Sequence, residues 1–188
     1  MPGLNEILRA LYGAYRLARF DAGGLTFFDA TVGGFWRSFF AAVIVAPLYV
    51  TMLGVRFTSQ AIEATPARFL AIEMISYVIG WVAYPLVMTT VVRAIDRERH
   101  YLRYMVAYNW AGVWQSLLYL PLVILTYGGA VPERAVAVPT LAAFLAILVY
   151  AWFIARVGLA IPGLVAASLV ALEVGLGLAI TAIADRLL

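Results

Sequence analysis

The sequence predicts an all-α integral membrane protein of five transmembrane helices, preceded by an N-terminal amphipathic interfacial helix. Three observations carry this reading. Of the 188 residues, 65% are hydrophobic and 12% charged, with a mean hydropathy of +0.95; soluble domains are about 45–50% apolar and about 25% charged. Charged residues are spaced so that they leave five long apolar runs. Ahead of those runs, residues 4–19 repeat apolar side chains at helical spacing.

In chain order, residues 1–28 form a cytoplasmic amphipathic segment and residues 29–188 a single bundle. Leu4, Ile7, Leu8, Leu11, Tyr12 and Tyr15 recur on one side of the first helix, while Glu6, Arg9, Arg16 and Arg19 fall elsewhere. Such a helix lies flat on a bilayer, with its arginines at anionic headgroups. Gly23 and Gly24 break it, and Thr26 and Asp29 are candidate N-caps for the next helix. Phe27, Phe28, Phe35 and Trp36 suit the aromatic belt at a membrane surface.

The spans are expected at about 38–55, 69–92, 104–127, 135–155 and 163–184. Each approaches the ~20 residues that cross a hydrocarbon core, and backbone satisfaction in lipid requires them to be helices. Pro47, Pro85 and Pro121 fall inside three of them and predict kinks. All basic residues are arginine, a usage that with the Ala richness suits a GC-rich bacterial genome. Five spans place Arg9, Arg16, Arg19, Arg37, Arg93, Arg97, Arg99, Arg103 and Arg156 on one side, and Arg56, Arg68, Arg134 and Arg186 on the other. The positive-inside rule then sets the N-terminus in the cytoplasm and the C-terminus outside the inner membrane. Nothing in residues 1–20 reads as a cleaved secretory signal.

Polar residues inside the spans are the candidate site. Glu73, Tyr77, Gly80, Tyr84 and Met88 share a stripe on the second span, and Tyr108, Gly112, Gln115 and Tyr119 share one on the third, flanked by Asn109 and Ser116. Because polar side chains avoid lipid, the stripes should face each other or a cavity, as interhelical hydrogen bonds or as the lining of a ligand site. On the fifth span, Gly163, Ala167, Ala171, Gly175 and Ala179 form a small-residue stripe suited to close helix packing, with Glu173 roughly opposite. A charged side chain at mid-bilayer costs ~2.5–3.5 kcal/mol on insertion scales. No arginine shares the depth of Glu173, so a protonated acid bonded to Gln115 or a tyrosine is expected, with a proton or cation site as the alternative.

Several classes are excluded or unsupported. The chain has no Cys, which rules out disulfides, thiol catalysis and thiolate-held metals. His100, the sole histidine, has no neighbours at metal-ligand spacing, and no cofactor is implied. No nucleophile with a base, no phosphate loop and no paired catalytic carboxylates stand out, so no enzyme activity is expected. Nor is nucleic acid a partner, because the arginines sit at span ends. Arg9, Arg16, Arg19, Arg97, Arg99 and Arg103 are instead candidates for lipid headgroups. Trp152 and Arg156, four residues apart, suit a cation–π stack.

The five-span layout resembles the Yip family, the Rab/Ypt-interacting membrane proteins and their bacterial relatives. The likeness is carried by the polar run 93–103, by Tyr104, Tyr108, Asn109 and Trp110 after it, by Pro121, and by Tyr150, Trp152, Arg156, Gly158 and Leu159. The resemblance implies a tight turn between the last two helices near Pro162 and Gly163. It also implies a non-enzymatic scaffold, membrane-organising or lipid-interacting role. The Asp29 to Trp36 segment departs from the Asp-Leu-x-Gly-Pro signature of the eukaryotic members and lacks its proline. A small oligomeric transporter or channel with a polar path is the second expectation, and an accessory subunit of a larger membrane complex the third. Expected partners are membrane lipids, with a second copy of the chain or another membrane protein as further candidates.

Overall fold

A computed structural model describes residues 1–129 and 131–188. It is all-helical, with no strands among the described residues. Helix α1 spans Leu4–Ala18 and ends in a 3₁₀ segment, Ala22–Phe27. A short α2, Val32–Ser38, runs into α3, Phe40–Ser59. Then come α4, Pro66–Ala94, α5, Tyr101–Gly128, α6, Glu133–Leu159, and α7, Gly163–Leu187. Five segments are long and apolar enough to cross a membrane: α2 with α3, α4, α5, α6 and α7.

Local chemistry sets the helix ends. Thr31, not Thr26 or Asp29, caps α2, its hydroxyl accepting from the Gly34 amide at 3.0 Å. Asp29 instead accepts from the Thr31 amide and pairs with Arg37, which also reaches Glu6 at 2.8 Å. Thr65 caps α4 ahead of Pro66, a residue pre-set for the first helical turn. Helix α6 stops where Ala160 turns left-handed at φ 53°, and Pro162 opens α7. Arg103 donates to the Gly158 and Val157 carbonyls, capping the C-terminus of α6. That bond corrects its expected place at headgroups: the guanidinium satisfies orphan carbonyls of its own chain. A fourth helix-internal proline, Pro139, joins the three expected.

The core sits at the Arg103 end of the bundle. Helix α5 is central, packing most closely on α3 and α6. Its buried residues all lie between Tyr104 and Val113, where Ala107 and Ala111 let neighbouring backbones approach around Trp110 and Met105. At the other end a smaller cluster gathers Met52, Leu53, Ala64 and Phe69.

Helix α1 belongs to this core. Its apolar stripe predicts a helix on the cytoplasmic leaflet; its opposite side packs on α5 and α6 through Ala10, Ala14 and Leu17. Tyr150 Oη donates to the Ala14 carbonyl at 2.6 Å, and Trp114 Nε1 to the Leu11 carbonyl at 3.0 Å. Gly13 and Gly24 bring the helix and the 3₁₀ segment into backbone contact that a Cβ at either would block. Small residues permit that approach, and Leu17, with Ile7 and Leu11 beside it, completes the inward face. Leu4, Leu8, Tyr12 and Tyr15 remain exposed. Arg16 pairs with Asp21 and stacks over Phe27, while Arg19 lies over Tyr15. With the Gly23 amide, Arg16 holds the Asp21 carboxyl below its ordinary range.

Candidate functional site

Beyond Val113 the bundle opens. Helices α3, α4, α5 and α7 surround a cavity of about 520 Å³, within the few-hundred to thousand Å³ typical of small-molecule sites. Its walls carry six aromatic rings: Tyr49, Tyr77, Trp81, Tyr108, Tyr119 and Tyr127. Helical spacing explains the arrangement. Tyr77, Gly80, Trp81 and Glu73 project from one side of α4, and Tyr108, Gly112, Gln115 and Tyr119 from one side of α5. The two polar stripes thus border one space, with Gln115, Ser116 and Ser76 also on its wall. Tyr49 and Tyr77 stack with centroids 4.5 Å apart, and Tyr77 Oη donates to the Ala42 carbonyl at 2.6 Å.

A charged cluster rims the Arg56 end. Arg56 Nη1 lies 2.6 Å from Glu73 Oε1 and Nη2 lies 2.8 Å from Asp185 Oδ1. Its Nε donates to Gln60 at 3.2 Å, and Tyr49 Oη donates to Glu73 Oε2 at 3.0 Å. One arginine therefore ties α3 to both α4 and α7. Glu73 is buried, and its charge is tolerable there because Arg56 and Tyr49 answer both oxygens.

At the opposite end of the cavity stands Tyr108. Its hydroxyl donates to Glu173 Oε1 at 2.9 Å. Glu173 lines a second cavity of about 270 Å³ with Tyr84, Phe144 and Ile147, and the two cavities share Gly80, Tyr108, Gly177 and Ile180. Next to it, the Tyr84 and Tyr104 hydroxyls bond at 2.8 Å. Glu173 thus has a tyrosine partner, one of the two expected, and Gln115 makes no hydrogen bond to it.

Seven of the eight expected polar residues (Glu173, Gln115, Glu73, Tyr77, Tyr84, Tyr108 and Tyr119) line these two cavities. Asn109 does not. It is fully buried against α2, where Nδ2 donates to Ser38 Oγ at 2.8 Å and Oδ1 has no partner among the described residues. Of the small-residue stripe, Gly163 packs on the Trp152 ring. Ala167, Ala171, Gly175 and Ala179 are exposed, so within one chain they do not serve helix packing. The inward face of α7 is instead Ala166, Leu169, Val170 and Ala184, the face that also carries Glu173 to Tyr108. Arg156 stacks over Trp152 at 5.3 Å, as its spacing suggested.

Sequence reasoning missed Arg56, Tyr49, Asp185 and Trp81. Depth could have found the first. Arg56 is in the last turn of α3 and Glu73 lies two turns into α4, so an antiparallel pair sets them within about one turn of each other, a gap that a long arginine side chain spans. No metal-binding group of acidic, His or Cys side chains occurs among the described residues. Comparisons with family models, curated proteins and solved structures found no match to this chain.

Proposed function

We propose that this chain is a non-enzymatic, multi-pass inner-membrane protein of the Yip type whose task is to hold an amphiphilic molecule, a lipid or a lipid-like compound, in the cavity between α3, α4, α5 and α7. One observation carries the reading: a cavity of about 520 Å³ with an apolar and aromatic interior and a charged rim. That polarity matches a molecule whose body lies at hydrocarbon depth and whose polar end lies at the surface.

Its setting supports the same picture. The arginine count, by the positive-inside rule, supports a cytoplasmic Arg103 end and an outside Arg56 end. Helix α1 has three faces at 100° per residue: Ala10, Gly13 and Leu17 on the bundle, Leu4, Leu8 and Tyr15 exposed and apolar, Asn5, Arg9 and Arg16 polar. A helix with one side on protein, one apolar and one charged fits the rim of a bilayer, with Arg9 and Arg19 at headgroups. A small transporter is the second reading, favoured because Tyr108 stands between the cavity and the Glu173 carboxyl.

Cavity filling tests the proposal. Gly80 and Gly177 line both cavities, and a Cβ at either meets nothing within 4 Å. Gly80→Leu with Gly177→Leu should fill the space without a backbone clash. Native mass spectrometry should show a lipid adduct retained by the wild type and lost from the filled variant. Equal adducts in both would overturn the reading.

A further inference from the structure

The cavity has a chemical preference, and it follows from what its charges already do. Arg56 is the only cation on its wall among the described residues, and all three of its donor nitrogens are engaged, by Gln60, Glu73 and Asp185. The Glu73 and Asp185 carboxylates already balance that charge, and an anionic headgroup brought beside them would meet their repulsion. The lining as a whole carries Glu73 and Asp185 against one arginine, a formal balance of one negative charge. Asp185 Oδ2 accepts no hydrogen bond among the described residues, and the Asp185 side chain is 48% exposed at the mouth. Five phenol rings and one indole line the same wall, and the face of an aromatic ring attracts a cation.

From this we infer that the cavity binds a lipophilic organic cation: a monocation with an apolar or aromatic body, its charge shared between the Asp185–Glu73 rim and the rings of Tyr49, Tyr77 and Trp81. The inference rests on the cavity being a ligand site. Neutral amphiphiles can enter the same space, but the excess carboxylate discriminates against anions of equal shape.

Two ions of near-identical shape and opposite charge supply the test. Radiolabelled tetraphenylphosphonium should bind the purified full chain in nanodiscs saturably, at one equivalent. Tetraphenylborate should not compete. The Gly80→Leu/Gly177→Leu variant should lose at least about tenfold in affinity, because the ring faces are no longer reachable. Asp185→Asn keeps an acceptor for Arg56 and should weaken binding several-fold. Competition by tetraphenylborate as strong as by the unlabelled cation, or uptake equal in wild type and filled variant, would overturn the inference. If the cation fails while a lipid adduct still separates wild type from filled variant, the cationic preference is wrong and the ligand site stands. If neither separates them, both readings fall.

Discussion

Arg56 offers a quantitative prediction. Its guanidinium meets Glu73 at 2.6 Å and Asp185 at 2.8 Å, and the acid side chains are 6% and 48% exposed respectively. The two contacts should therefore differ in weight. An exposed pair is worth ~0–1 kcal/mol, whereas removing one partner of a buried pair costs ~3–5 kcal/mol, because the remaining charge is stranded. Arg56→Gln should accordingly destabilise the bundle by ~3–5 kcal/mol, almost all of it from Glu73. Glu73→Gln should cost less, because an amide oxygen still accepts from Arg56 or Tyr49 and Arg56 keeps Asp185. In Arg56→Gln/Glu73→Gln the stranded charge is gone, so the double variant should be more stable than Arg56→Gln alone, with a coupling of ~0.5–3 kcal/mol. Equilibrium unfolding in mixed micelles at rising dodecyl sulfate fraction measures all four proteins. Strictly additive losses would refute the reasoning, because they would mean that Arg56 does not neutralise Glu73.

Three further outcomes follow from the same geometry. Glu173→Gln should be nearly silent in that assay, since the amide oxygen still accepts from Tyr108, while Glu173→Leu should cost ~1–3 kcal/mol for the unpaired hydroxyl; equal stability of the two would mean the Tyr108 bond does not form. The chain lacks Cys, so a fluorophore at Leu8→Cys should be quenched by acyl-chain probes in nanodiscs and one at Arg9→Cys by aqueous iodide; iodide quenching at both would remove α1 from the bilayer surface. Ala171→Leu and Gly175→Leu, on the exposed face of α7, should change stability by no more than ~0.5 kcal/mol in monodisperse detergent; a large loss would show that this face packs.

Much of the helical layout was legible because hydropathy acts over whole helices: an apolar run of bilayer length between arginines leaves the backbone one economical solution. Boundaries were less so. A short helix, Val32–Ser38, precedes the first long one, because Thr31 supplies a cap that the apolar count could not weigh against Thr26 and Asp29. Faces were half legible. Spacing put Glu73 with Tyr77 and Tyr108 with Gln115, but it carries no information on which helix stands opposite, and so Arg56, Tyr49 and Asp185 were missed. On α7 and α1 the inward face was not legible, for a shared reason. An apolar or small face can meet lipid as readily as protein, so composition alone does not say which face turns inward. Glu173 and Ala14 settle it in the structure, through bonds to Tyr108 and Tyr150 that are 65 and 136 residues apart in sequence.

The most direct test of the ligand cavity is an experimental map of the wild-type chain in lipid nanodiscs. Continuous non-protein density between Tyr49, Trp81 and Tyr119, entering beside Arg56 and ending at Tyr108, is the result expected. A bundle in which α4 and α5 close on each other, with Trp81 and Tyr119 filling the space and no density between them, would contradict the account.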